Sequence, residues 1–182
     1  LECALQTQPN ICLISEEVEE KKQSLSQIVE YIASIVAKRA AEGNNFGVAL
    51  IPEGLIEFIP SMRDLISELN DLLAKVGDDF AHTPKDEQLE FIASRLSAEN
   101  AEAFRSLPDT VAYQIAGERD PHGNVQVSLI ETEKLLSGMV AKKLAEWKKE
   151  GKYESSFKTQ HHFLGYEGRC AAPSNFDADY CY

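Results

Sequence analysis

Glu53 stands at the end of an apolar run in "GVALIPEGLIEF", Gly47 to Phe58, and Gly54 follows it at once. A carboxylate beside a residue with no side chain can accept hydrogen bonds from several hydroxyls of a ligand that comes close to the backbone. A second stretch, "GYEGR", Gly165 to Arg169, offers complementary groups between two glycines. The Arg169 guanidinium can fork onto phosphate oxygens, and the Tyr166 hydroxyl adds a further donor. In open α/β sheets ligands gather at the carboxyl ends of strands. Both stretches follow runs with strand character, so together they suit a polyol phosphate. A purely structural reading competes on the same residues: a salt bridge from Arg169 to Glu53, with Tyr166 packed in the core.

Other polar residues point less clearly to chemistry. His161 and His162 are adjacent, so on a strand they face opposite sides and do not share a metal easily. Cys170 has no assigned base and reads as an ordinary thiol rather than a nucleophile. Asp177 and Asp179 suit a helix start, where carboxylates favour the dipole. Lys142, Lys143, Lys148 and Lys149 alternate with Glu146 and Glu150 on a solvated helix face. The four cysteines, Cys3, Cys12, Cys170 and Cys181, contain no CxxC pair, which reads as reduced thiols and no structural zinc.

The elements that must position Glu53 and Arg169 follow from periodicity. Ile11 to Ser15 suits a buried parallel strand, and "EEVEEKK" after it reads as a solvated loop. Ser24 with Gln27 forms a capping box, Leu25 to Val36 carries a helical stripe, and Gly43 ends that helix before the Gly47 strand. Strand, helix, strand is the βαβ unit of an α/β sheet. Beyond Pro60 the pattern turns helical: a stripe from Met62 to Val76, a helix opened by Thr83 and Pro84, another over "SAENAEAFRSL", and a long one from Ile130 to about Gly151. "GERDPHGN", Gly117 to Asn124, is a loop between them. "FKTQHHFLGY" then returns to strand alternation. The order predicts an α/β domain, residues 1–60 and 152–182, with a large mostly helical insertion over 61–151. Ile11 to Ser15, Gly47 to Ile51 and His161 to Gly165 are expected as neighbouring strands of one sheet.

The 182 residues are 43% hydrophobic and 26% charged, a composition for one soluble core. A net charge of −12 argues against a general nucleic-acid or anionic-membrane surface, though not against one local anion site. No apolar run is long enough to span a bilayer. The chain opens on Leu1 and closes on "DADYCY" without a helix stop, which reads as a piece of a longer protein.

Four blocks, "LECALQTQPN", "GVALIPEGLIEFIP", "SLIETEKLL" and "HHFLGYEGRCAAPSNFDADYCY", occur in the order in which the long-chain pyrophosphate-dependent phosphofructokinases carry similar ones. The resemblance covers the chain from end to end. It implies a phosphofructokinase-type three-layer αβα domain. It also implies a cytoplasmic, glycolytic transferase that reversibly moves a phosphoryl group from pyrophosphate to fructose 6-phosphate with magnesium. By the same resemblance Glu53 holds the sugar, and Tyr166, Glu167, Gly168 and Arg169 contact the substrate. Lys158 falls where the wider superfamily places a cation that reaches a neighbouring subunit's site. The family's glycine-rich pyrophosphate loop, magnesium aspartate, catalytic aspartates and "MGR" motif would all lie before Leu1. The chain would then hold no catalytic and no metal residue, and would be inactive alone. Homo- or hetero-oligomers are implied, as is apolar surface where the remaining polypeptide would cover the sheet. Two other readings stand beside this one: a regulatory, non-catalytic subunit of the same family, and a helical protein-interaction module over Ser61 to Gly151.

Overall fold

The Ser24 hydroxyl accepts the Gln27 backbone N–H at 3.3 Å while the Gln27 side chain accepts the Ser24 N–H at 2.8 Å. This reciprocal cap opens the helix that crosses between the two strands. In the computed structural model, which describes residues 2–76, 84–117, 125 and 130–165, the chain runs α1 (Glu2–Thr7), β1 (Ile11–Cys12), α2 (Ser15–Glu20), α3 (Leu25–Ala41) and β2 (Ala49–Leu50). A short 3-10 helix (Leu55–Phe58) leads into α4 (Pro60–Val76), α5 (Lys85–Ala93), α6 (Ala98–Ser106), α7 (Asp109–Gly117) and α8 (Thr132–Lys149). The described residues are thus mostly helical around one two-stranded parallel sheet, with Ile11 opposite Ala49 and Cys12 opposite Leu50.

Stop signals act where the sequence places them. Gly43 takes φ +82°, its N–H bonds to the Ala40 carbonyl, and the Asn44 N–H reaches back to Arg39 at 2.9 Å. Gly151, at φ +73°, closes α8 in the same way, with Lys152 N–H on the Trp147 carbonyl at 2.8 Å. Both are Schellman closures, which satisfy carbonyls that would otherwise end without partners.

Three expectations are corrected. Residues 15–20 form a helix, not a loop. Val18 is buried, and α2 packs on the 3-10 helix, so one apolar anchor organises an otherwise charged turn. Residues 157–164 form no strand. Phe157 packs on the core, but His161, His162, Phe163 and Leu164 are exposed, and the segment lies beside α8 instead of joining the sheet. Alternation of one aromatic with one polar residue is a weak strand signal where no neighbour supplies ladder partners. The strands themselves are two residues long, shorter than expected. The structure also adds α7, whose stripe of Val111, Ala112, Ile115 and Ala116 follows Pro108 and is buried. The "GERDPHGN" loop after Gly117 lies outside the described residues, as do Tyr166 to Arg169, Cys170, Asp177, Asp179 and Cys181.

One apolar cluster runs from Ile11 on β1 through Ile28 and Ile32 on α3, Leu65 and Leu69 on α4, and Leu135, Val140 and Leu144 on α8. Leu65 and Leu69 are fully buried, so truncating either to alanine would cost about 2–5 kcal/mol. The helices pair as α3 with α8, α4 with α6, and α5 with α6 and α7. No described helix is long and apolar enough to cross a membrane.

A carboxylate from α4 caps α6. Glu68 accepts the Ser97 N–H at 2.7 Å, the Ser97 hydroxyl at 2.8 Å and the Asn100 side-chain amide. The Asn100 bond first, and the Ser97 bonds after it, hold the Glu68 carboxyl below its ordinary value of 4.5. A folded-state value below the unfolded one adds stability that is present above about pH 4.5 and is lost as pH falls through the lower folded value. Glu68→Ala should therefore cost about 1 kcal/mol in urea unfolding at pH 7, the scale of a lost cap. The gap between variant and parent should narrow when the measurement is repeated between pH 4 and pH 3; a gap that is constant with pH would count against the cap.

Candidate functional site

The site is built from the first rung of the sheet. The Asn10 N–H bonds to the Val48 carbonyl at 2.9 Å, and the Asn10 side-chain oxygen accepts the Val48 N–H at 3.0 Å. One residue thus satisfies both backbone groups of Val48, acting as an extra rung before the Ile11 to Ala49 pair. Gly47 makes room for it, since a Cβ there would sit 2.9 Å from Asn10 Oδ1. The Leu13 N–H on the Leu50 carbonyl, at 3.0 Å, continues the pairing towards the carboxyl end.

Past β2 the chain makes a tight turn. Pro52 has no N–H to donate, its carbonyl takes the Leu55 N–H at 3.2 Å, and the 3-10 helix buries Leu55 and Ile56. Glu53 is held, half-buried, between the strand and this helix. Its backbone carbonyl accepts a hydrogen bond from the Thr132 hydroxyl of α8 at 3.4 Å.

A cleft of about 860 Å³ opens between the sheet, the second half of α3, the start of α8 and residues 156–165. Glu53 and Lys158, both singled out from sequence, line this one cleft, with Lys158 exposed. Gly165, the last described residue, lines it as well. Tyr166, Glu167, Gly168 and Arg169 lie outside the described residues.

The cleft also holds groups that motif reading missed. Arg39 lines it and donates through Nε and Nη2 to the Phe46 carbonyl at 3.3 and 3.2 Å, its guanidinium 5.7 Å from the centre of the Phe46 ring. The last turn of α3 therefore supplies a cation beside the loop to β2; the only sequence signal was a basic residue before the Gly43 stop. His161 Nε2 lies 2.6 Å from Ser137 Oγ on α8, and the same hydroxyl contacts the Lys134 carbonyl at 3.1 Å. A hydroxyl has one proton; with it given to Lys134, the imidazole N–H donates to Ser137 and pins the segment to α8. Phe46, Val48, Phe163 and Leu164, four large apolar side chains, line the cleft while exposed. The apolar surface expected beside the sheet is there. Among the described residues no three His, Cys, Asp or Glu side chains come together as a metal centre would require.

No protein-family model matches the chain. Individual relatives do. A pyrophosphate--fructose 6-phosphate 1-phosphotransferase of Porphyromonas gingivalis is 57% identical over 182 residues, which is 100% of this chain and 33% of the relative. The beta subunit of the enzyme of that name from Solanum tuberosum is 52% identical over 182 residues, 100% of this chain and 31% of its own length. The subunit alpha 2 of Arabidopsis thaliana is 38% identical over 183 residues, 100% of this chain and 28% of its own length. The chain is homologous to these phosphotransferases. It spans about a third of the length of the curated relatives it matches. The four sequence blocks that carried the resemblance lie within the aligned length, and so does every residue of the cleft.

The Asn10 and Gly47 pairing makes a direct forecast for this chain. Gly47→Ala should destabilise the 182-residue chain by about 1–3 kcal/mol, because its methyl pushes Asn10 Oδ1 off the Val48 N–H. Asn10→Ala should cost about 1 kcal/mol alone. On the Asn10→Ala background the Gly47→Ala penalty should shrink, because the clashing atom is gone. Urea unfolding of the four proteins reads the coupling, and strictly additive costs would refute it.

Proposed function

We propose that the chain carries part of the fructose 6-phosphate site of a reversible, pyrophosphate-dependent phosphotransferase whose product is fructose 1,6-bisphosphate. The observation that carries this reading is identity of 50–57% over the whole chain to bacterial and plant beta-type relatives of that name. Glu53 takes sugar hydroxyls, Arg169 and Tyr166 hold the phosphate, and Glu167 and Gly168 complete the loop. Charge favours this division. A carboxylate beside a dianionic phosphate repels it, but accepts bonds from neutral hydroxyls. Lys158, on the rim of the cleft with Glu53, is a second cation within reach of an anionic ligand. Residues 1–60 and 152–182 are read as parts of one substrate-binding α/β domain of the three-layer αβα kind, and 61–151 as its helical insertion. The βαβ order of β1, α3 and β2 supports that assignment.

Phosphoryl transfer needs positioning and charge stabilisation by cations and a metal. Magnesium would supply that charge when bound; by the resemblance, its ligands and the base are assigned to parts of the whole enzyme other than this chain. The role of this chain is to bind and orient the sugar phosphate in a cleft with apolar walls. The whole enzyme is read as a cytoplasmic homo- or hetero-oligomer, the alpha and beta names of the plant relatives supporting the second form. Identity is 38% to the alpha-type relative against 52% to the beta type, so the chain is nearer the beta type. A helical interaction module would need an exposed apolar face on 61–151, and Tyr113 is the one large hydrophobic exposed among its described residues.

Two outcomes follow. The purified 182-residue chain should show no pyrophosphate-dependent phosphorylation of fructose 6-phosphate; turnover would overturn the division of labour. In the full-length protein, Arg169→Ala should weaken fructose 6-phosphate use by about 2–4 kcal/mol, the scale of a lost charge-assisted contact. Glu53→Gln should cost less, because the amide still accepts one bond. Steady-state kinetics with both substrates varied decide the matter. A change in KM for pyrophosphate alone would sink the assignment.

A further inference from the structure

We propose that Thr132 is a positioning residue for Glu53, tying the first turn of α8 to the turn that carries the carboxylate. The inference rests on the reading of Glu53 as the acceptor of sugar hydroxyls.

Thr132 is 3% exposed, one of two buried polar side chains among the described residues. A hydroxyl taken out of water costs free energy unless it keeps a partner. Thr132 Oγ1 has one proton and two carbonyls in range, Ile130 at 3.3 Å and Glu53 at 3.4 Å. The Ile130 carbonyl already receives the Thr132 backbone N–H at 2.7 Å. The service that only the hydroxyl performs is therefore the bond to Glu53, across 79 residues of sequence.

That bond adds a tie from outside the turn. The turn's own bonds are local, Leu55 N–H on the Pro52 carbonyl at 3.2 Å and Glu57 N–H on the Gly54 carbonyl at 3.1 Å, whereas Thr132 joins it to a helix distant in sequence. The carbonyl and the side chain of Glu53 share one Cα, so restraining the carbonyl narrows the range of ψ and of directions in which the side chain leaves the backbone. The mount is stiff, because α8 packs along α3 and Leu135 and Leu136 are fully buried just beyond Thr132. A 1 Å displacement of a positioned group is enough to cost substantial rate. The hydroxyl thus makes the helical block hold the carboxylate in register with the cleft that both elements line.

The test uses the full-length protein that contains this chain. Thr132→Val keeps the branched shape and removes the donor. It should lower kcat/KM for fructose 6-phosphate about five- to tenfold, the scale of one lost hydrogen bond, with KM for pyrophosphate changed less than about twofold. Thr132→Ser should restore most of the loss. On a Glu53→Ala background Thr132→Val should have an effect of less than about twofold, because there is no carboxylate left to place. If the valine variant is insoluble, the comparison of Thr132→Ser with Thr132→Ala, which differ by the hydroxyl alone, carries the same test. An equal loss on both backgrounds, an equal loss for pyrophosphate, or a lowered unfolding midpoint with unchanged kinetics overturns the inference. If Glu53→Ala itself leaves fructose 6-phosphate use intact, the reading of Glu53 falls, and that result is distinct from a Glu53 effect that Thr132 does not modulate.

Discussion

A parallel ladder of two residues per strand is too short to hold its register through its own hydrogen bonds, yet the placement of Glu53 depends on it. Asn10 supplies the missing rung by answering both the N–H and the carbonyl of Val48, and Gly47 leaves the space in which it does so. A slip of one residue would turn the side chains of β2 to the opposite faces and displace the turn that carries Glu53. The rest of the described chain can be understood as what keeps this pairing where it is. Parallel strands need a crossover, and α3 is cut to length by the Ser24 capping box at one end and the Gly43 closure at the other.

The helices beyond Pro60 do more than enlarge the core. α8 lies against α3, so the crossover helix is packed on the helical block. The start of α8 reaches the Glu53 turn through Thr132, and its middle reaches the following segment through Ser137 and His161. α4 and α6 are joined by the Glu68 cap, which replaces a local N-cap side chain with one from another helix. Exposed pairs such as Arg105 with Glu90 add little, since surface ion pairs are worth about 0–1 kcal/mol. Burial of the shared apolar cluster carries the stability, and the polar contacts decide relative position.

The cleft mixes both signs of charge. The chain carries a net −12, and the cleft places Arg39 and Lys158 along walls that also hold Glu53, Glu131 and Glu133. Arg39 is oriented by the Phe46 carbonyl and its ring, so its direction is set by the loop that it helps to hold. Phe46, Val48, Phe163 and Leu164 add exposed apolar side chains to the same walls.

Much of this was legible without coordinates where the signal is local. The capping box at Ser24, the glycine stops at Gly43 and Gly151, the stripe of α4 and the long apolar face of α8 all obey short-range rules, and each formed as expected. The glutamate after the apolar run announced itself by its neighbours, Pro52 and Gly54, and lies in a cleft. What could not be read depended on partners distant in sequence. Residues 15–20 became a helix because Val18 found a buried place against the 3-10 helix. Residues 157–164 stayed irregular because strand alternation is only a capacity to pair, and α8 rather than a strand edge lies beside them. Asn10 with Val48, and Thr132 with Glu53, join residues 38 and 79 positions apart, and no periodicity encodes such contacts. Sequence alone determined which segments can be helix, turn or strand, since propensity and capping act within a few residues. Tertiary structure decided which of them meet, because a hydroxyl or an amide chooses its partner only after burial has removed water as the alternative.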